Sequence, residues 1–107
     1  MELSQYQIVL VDLNPTRGAE IRKTRPCLIV SPDELNRHLR TVVVAPMTTS
    51  VRNYPTRLTI IHQKRRGAAA IDQIRTIDKT RILKVLGALK ADEVQRCKAI
   101  MRETFVD

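Results

Sequence analysis

Four basic side chains, Arg17, Arg22, Lys23 and Arg25, surround a single Glu, Glu20, in the stretch from Asp12 to Pro26. Guanidinium and ammonium groups gathered on one loop bind anions, and a guanidinium matches phosphate oxygens two at a time. Arg25 is the best placed of the four. Pro26 holds its backbone extended, and an apolar strand, Cys27 to Val30, follows directly. From this segment alone Arg25 serves equally well as a phosphate ligand or as a salt-bridge partner of Glu20. A second segment, Asp72 to Arg81, repeats the same chemistry with Asp, Arg, Lys and Thr. Two such segments are expected to line one anion-binding surface. Within the second, Asp72, Arg75 and Asp78 suit a buried ion-pair network as well as a groove; Asp78 reads as structural and Arg75 as mixed.

Thr48, Thr49 and Ser50 follow a Val-rich run. A hydroxyl just past a strand end can face a substrate oxygen, but Thr and Ser are also common turn residues, and on residue type alone the turn reading of Thr48 is the stronger. Neither histidine, His38 or His62, has an obvious catalytic companion nearby in the sequence. No Gly-rich phosphate loop, H-E-x-x-H or G-x-S-x-G is present. Cys27 and Cys97 form no C-x-x-C and are expected to be reduced, buried thiols, so no metal site and no cofactor is expected.

The bulk composition narrows the partners. The 107 residues suit one domain, spanning residues 1–107, and carry a net charge of +8 with only 3% aromatic residues. Between Arg52 and Arg81, eight Lys and Arg stand against two Asp, a local +6. Such a field favours nucleic acid or an acidic protein partner. The few aromatics argue against an RNA binder built on many stacking platforms. No apolar run reaches the length of a membrane span and no leader pattern is seen, so a cytoplasmic protein without membrane contact is expected.

The elements that must position these residues are mostly short β-branched runs. Strands are expected at Tyr6 to Asp12, Cys27 to Val30, Thr41 to Ala45 (closed by Pro46), Arg57 to Ile61, Ala69 to Ile74 and Leu83 to Leu89, the last broken by Gly87. Several strands at this spacing suggest a small barrel or a strongly curled sheet. Ser31-Pro32-Asp33-Glu34 opens a short helix to about Leu39, with Ser31 as its capping hydroxyl. A long helix is expected from Ala91 to Phe105, with Val94, Cys97, Met101 and Phe105 on one apolar face and Ile100 alongside.

Taken in order, Val11-Asp12-Leu13-Asn14-Pro15, Gly18-x-Glu20, Thr24-Arg25-Pro26, Leu28-Ile29-Val30, Ser31-Pro32-Asp33, Asn36-Arg37, Val44-Ala45-Pro46-Met47-Thr48 and Asp72-Gln73-Ile74-Arg75-Thr76-Ile77-Asp78 resemble the MazF/PemK/Kid family of toxin endoribonucleases. Each piece is weak alone; their order and spacing are specific and cover nearly the whole chain. The resemblance implies a mainly β fold, an SH3-like β-barrel with peripheral helices, working as a homodimer. It implies metal-independent cleavage of single-stranded RNA and an acidic antitoxin as partner, with any DNA contact arising only through the antitoxin complex. The family's catalytic positions fall on Arg25 and Thr48, with Glu20 as a supporting acid, which favours a catalytic role for Thr48 over a turn alone. Arg17, Arg22, Lys23, Thr49, Ser50 and Arg75 are then expected to contact RNA, and the loops Arg17 to Arg22 and Val51 to Thr56 to read its bases. Two departures stand out. Ser4 to Val9 replaces the family's usual Arg-Gly-Asp-type opening, and Ala70 stands where some members carry a further catalytic Arg. Two alternatives are a gyrase poison resembling CcdB, which shares the barrel, and a basic RNA-binding module without catalysis.

Overall fold

The computed structural model describes residues 2–15, 17–20, 23–50 and 54–106. Among the described residues, seven strands and two α-helices follow in the order β1 (Gln7–Asp12), β2 (Thr24–Ile29), α1 (Asp33–His38), β3 (Thr41–Thr48), β4 (Arg57–His62), β5 (Arg65–Ala70), β6 (Arg75–Asp78), β7 (Ile82–Ala88) and α2 (Ala91–Phe105). The strands form one curled antiparallel sheet, a half-barrel, in the order β4-β5-β3-β2-β1-β7, with β6 also paired to β3. No helix among the described residues is long and apolar enough to cross a membrane.

Period-2 alternation divides the strands between two cores. On one face, Val9 and Val11 of β1, Cys27 and Ile29 of β2, and Val42 and Val44 of β3 pack with Ile77 and Ile82. On the other, Ile8, Leu28, Ala45, Met47, Leu58 and Ile60 pack beneath α2, which contributes Cys97, Ile100 and Met101. The helix boundaries agree with the sequence reading, whereas Phe105, placed on the apolar face, is 52% exposed at the helix end.

β3 is the hinge of the architecture. One edge pairs with β2 from Val44 to Pro46. Along the other, residues Thr41 to Val44 pair with β6 and Met47 to Thr48 pair with β5. Pro46 therefore lies in the gap between two partners, where its missing N–H breaks no ladder bond, and the strand runs through it instead of stopping there. Thr48 is consequently the last strand residue, not a turn residue beyond it. The expected strand Ala69 to Ile74 is also corrected. Its first two residues end β5, a 3₁₀ turn occupies Ile71–Gln73, and β6 begins at Arg75. Arg65-Arg66-Gly67-Ala68-Ala69-Ala70 carries weak intrinsic strand preference, and tertiary pairing overrides it. Gly67 has its own reason: a Cβ there would lie 3.3 Å from the Thr48 carbonyl oxygen.

β7 likewise runs through Gly87 instead of breaking there, across a register shift against β1. A Cβ on Gly87 would sit 2.4 Å from the His62 ring, so the bare Cα lets β7 approach β4, the other end of the strand path. The free edge of β4 is covered by α2. Glu93, only 3% exposed, accepts hydrogen bonds from Ile61 N (3.0 Å) and Lys90 N (2.9 Å), and Arg96 donates to the Thr59 carbonyl at 3.1 Å. Replacing Glu93 with Ala strands the Ile61 N–H and is expected to cost about 1–3 kcal/mol, read as a lowered urea midpoint. In α1, Ser31 does not cap; its hydroxyl donates to Asn36 Oδ1 (2.5 Å) and accepts from Val43 N (3.0 Å), which ties the helix to β3.

Candidate active site

The β1–β2 loop is held from below by the second basic segment. Arg75 Nη1 donates to the Leu13 carbonyl at 3.3 Å, and Arg81 Nη1 donates to the carbonyls of Asp12 (3.2 Å) and Asn14. The loop closes on itself through Leu13 N to Lys23 O (3.1 Å) and Lys23 N to Asn14 Oδ1 (3.3 Å). Within it Arg17 N donates to Glu20 Oε1 at 2.6 Å and Glu20 N to Arg17 O at 3.2 Å, around Gly18 in the left-handed region (φ 58°). Glu20 is thereby presented on a braced turn.

The two segments do share one surface. A concavity of about 420 Å³ is lined by Ala19 and Glu20 from the loop, Pro46 from β3, and residues 72–75. Pro46 faces Cys27 of β2 across the ladder, and Cys27 faces Val9 of β1. The β2–β3 ladder ends at the Cys27–Pro46 pair, and strand alternation puts Arg25 of β2 and Thr48 of β3 on the face that holds Cys27 and Pro46. Arg75, paired with Val44, lies on that face as well. Neither Arg25 nor Thr48 lines the concavity; Arg25 lies two residues before Cys27 on β2 and Thr48 two residues after Pro46 on β3. Burial pushes the Cys27 thiol up to about 12, outweighing the opposing effects of Arg75, the Met47 backbone and Arg25. It stays protonated and is no nucleophile. Cys97 is likewise buried with its thiol raised by burial, so both cysteines are the free, inert thiols expected.

Thr48 makes a turn contact from the end of its strand. Its Oγ1 accepts from Ser50 N at 3.1 Å, which is a turn contact, and an oxygen used as acceptor keeps its own proton to donate. Thr49 and Ser50 follow it, exposed. Arg17 and Lys23 are exposed on the loop rim, Lys23 at φ 72°. Arg22 and residues 51–53 of the expected base-reading loops lie outside the described residues. His38 is exposed on α1 beside Glu34 (3.5 Å), and His62 packs on Gly87; neither lines the concavity. Among the described residues no three His, Cys, Asp or Glu side chains group as metal ligands.

The ion-pair network anticipated among Asp72, Arg75 and Asp78 is replaced by other partners. Asp78 accepts from Thr80 N (2.9 Å) and Thr80 Oγ1 (2.7 Å), capping the 3₁₀ turn Lys79–Arg81, and those bonds hold its carboxyl below the usual range. Asp72 takes Arg57 in a fork, Nε to Oδ1 at 2.9 Å and Nη2 to Oδ2 at 3.4 Å, and Thr56 Oγ1 at 3.0 Å. Burial works against its ionisation, but the bonds from Arg57 and Thr56 outweigh it and lower its pKa. A carboxyl depressed on folding stabilises the fold above its unfolded pKa of about 3.9 and loses that contribution as pH falls through the folded value. Asp72→Asn is therefore expected to flatten the loss of stability below about pH 4, read by urea melts at pH 7, 4 and 2.5.

Arg57, Tyr54, Gln73 and Arg81 are the residues of this region that residue types alone did not single out. Arg57 and Tyr54 were hidden by their distance in sequence from Asp72. Gln73 adjoins Asp72, and that neighbour was its available signal.

The family model for a PemK-like, MazF-like toxin of type II toxin–antitoxin system matches residues 4–105. The endoribonuclease toxin MazF of Escherichia coli (strain K12) is 31% identical over 93 residues, which is 86% of this chain and 84% of that relative. The fold is similar to MazF from Deinococcus radiodurans, with a TM-score of 0.85 at 22% identity over 97% of this chain and 96% of that one. It is also similar to an endoribonuclease in complex with its cognate antitoxin from Mycobacterial species, with a TM-score of 0.81 at 24% identity over 94% and 92%. Matched over nearly its whole length, the chain belongs to the PemK-like, MazF-like toxins of type II toxin–antitoxin systems.

Proposed function

We propose that residues 1–107 act as one toxin domain, paired as a homodimer in the cytoplasm, that cuts single-stranded mRNA at short sequences without a metal ion and thereby arrests growth. Membership of the family makes the chain an endoribonuclease toxin. The observation that supports the chemical reading is that Arg25 and Thr48 share the sheet face of Cys27 and Pro46, and that Pro46 and Glu20 line the concavity.

Attack by the 2′-hydroxyl on the adjacent phosphorus forms the new P–O bond and breaks the bond to the 5′-oxygen. Arg25 donates hydrogen bonds to the non-bridging oxygens, which carry most charge in the phosphorane, and Thr48 donates one more. Two carboxylates border the concavity, and Asp72 is committed to Arg57 and Thr56. Glu20 is thus the carboxylate in position to take the 2′ proton. The departing 5′-oxygen takes a proton from the Arg25 guanidinium, which recovers it from solvent. A guanidinium offers only N–H donors, so Arg25 serves as donor and not as base. Arg17, Arg22, Lys23 and Arg75 supply charge for the RNA backbone, and Thr49 and Ser50 supply hydroxyl donors beside it.

The same basic surface suits an acidic antitoxin tail lying where RNA would lie, with DNA reached only through that complex. Exposed Leu83 and Val85 on the edge strand β7 support a protein–protein contact such as the homodimer. The test is digestion of a long RNA in EDTA with mapping of both ends. Discrete cuts carrying 2′,3′-cyclic phosphate and 5′-hydroxyl ends are expected. Cleavage that requires added Mg²⁺, or ends with 5′-phosphate, would overturn the chemistry. RNA left whole but shifted in mobility would indicate the binding module, and gyrase-dependent DNA breaks the poison.

A further inference from the structure

We propose that Tyr54 is a stacking platform for one RNA base flanking the cut, fixed in place by Arg57 and Asp72; this rests on the RNA-cleavage reading above. The chain has three aromatic residues, Tyr6, Tyr54 and Phe105. Tyr6 packs against the second core and Phe105 stands at the end of α2, whereas Tyr54 is 49% exposed next to the segment that walls the concavity. Arg57 lies over its ring, with Cζ 5.4 Å from the centroid. That guanidinium is itself gripped: the Arg57 side chain is 11% exposed and forks onto Asp72, a lining residue of the concavity.

The backbone is fastened in the same sense. Arg57 N donates to Tyr54 O at 3.1 Å, closing the turn, and Ile71 N donates to Thr56 O at 3.0 Å, joining that turn to the 3₁₀ segment Ile71–Gln73. Asp72, Arg57 and Tyr54 therefore form a stack that leads out of the concavity and ends on an open ring. One ring face rests on the guanidinium, and the exposed remainder is presented to solvent. A ring held this way loses little freedom when a base lands on it. Because Asp72 neutralises Arg57, the platform adds no net positive charge, so its contribution differs in kind from that of Arg17 or Lys23. Stacking of a base on an aromatic changes affinity by about 5- to 100-fold and tolerates any base, whereas a phosphate contact shows itself in the salt dependence.

The experiment measures binding of 2′-O-methyl oligonucleotides, which cannot be cut by 2′-hydroxyl attack. The four homopolymers are used, and a mapped cut site with an abasic residue scanned along it. For the wild type, one abasic position flanking the cut is expected to weaken binding about 5- to 100-fold. Tyr54→Ala should show that same loss on the intact oligonucleotide, no further loss at that abasic position, and an unchanged slope of affinity against salt. Tyr54→Phe and Tyr54→Trp should retain wild-type affinity, and thermal melts of all three should match the wild type, since the residue is half exposed. Wild-type affinity in Tyr54→Ala, an abasic penalty that persists in it, or a salt slope reduced by about one would overturn the proposal. A wild type that binds and stacks yet cuts no RNA would remove the nuclease reading and leave the platform standing, judged on the homopolymers. A wild type that binds none of the oligonucleotides would overturn the platform.

Discussion

Arg25→Ala is expected to lower the single-turnover rate of RNA cleavage by about 10²–10³ while leaving the fold intact. The size follows from what one pre-aimed donor contributes when charge gathers on a phosphorane in a site that is already organised. Arg25 is half-buried on β2, and its backbone is fixed by pairing with Val11 of β1. The alanine variant keeps that ladder and the adjacent Pro26, so the loss appears in rate and not in melting temperature. Arg25→Lys should recover little, because an ammonium is a point charge without the planar fork. Circular dichroism and thermal melts establish the fold, and cleavage at saturating enzyme gives the rate. A folded Arg25→Ala protein that cuts at the wild-type rate would remove Arg25 from the site.

The second large effect is on stability. Leu28 sits on the same strand, but its side chain enters the opposite core, fully buried with Ile8, Ala45 and Leu58. Its neighbours in the ladder are Ile8 of β1 and Ala45 of β3. Leu28→Ala leaves a cavity that strand pairing prevents from collapsing, and a cost of about 2–5 kcal/mol is expected. For a domain of this size that is a large part of total stability, and a fall in melting temperature of roughly 10–30 °C follows. Well below the new melting point the variant should still cut RNA at close to the wild-type rate, because Leu28 faces away from Arg25. A fall of only a few degrees, or a rate lost at low temperature with the fold intact, would contradict this division of β2 between packing and chemistry.

Much of this was legible in the residues themselves. The 3.6-residue period and first-turn acids of Ala91–Phe105 were sufficient for α2, and the β-branched runs marked β1, β2, β4 and most of β3. What failed had physical causes. Pro46 looked like a strand stop because its exemption comes from a change of partner along β3, which no local pattern encodes. The strand expected at Ala69 to Ile74 begins instead at Arg65, because Gly67, a weak strand former, answers to the close approach of the Thr48 carbonyl, far away in sequence. Gly87 looked like a break for the same kind of reason, since His62 supplies the constraint.

The site divides in the same way. Arg25, Glu20 and Thr48 were singled out by residue type and family resemblance; Arg25 and Thr48 fall on strands β2 and β3, on one face of the sheet, and Glu20 on the loop before β2. The partners of Asp72 were not visible, because Arg57 reaches it across the sheet. That exchange matters for the chemistry. With Asp72 held by Arg57 and Thr56, its carboxylate is engaged in structure, and the proposed mechanism rests on Glu20 as the carboxylate that takes the 2′ proton.

The central claim is that Arg25 and Thr48 act on one phosphate. The measurement that tests it most directly is single-turnover cleavage in EDTA by the wild type, Arg25→Ala, Thr48→Ala and the double variant. Groups that act as a unit lose their effects together. Wild-type cutting without metal, a slow rate for each single variant, and a double variant about as slow as Arg25→Ala are predicted. Losses that multiply in full, or a wild-type rate in Arg25→Ala, would contradict the account.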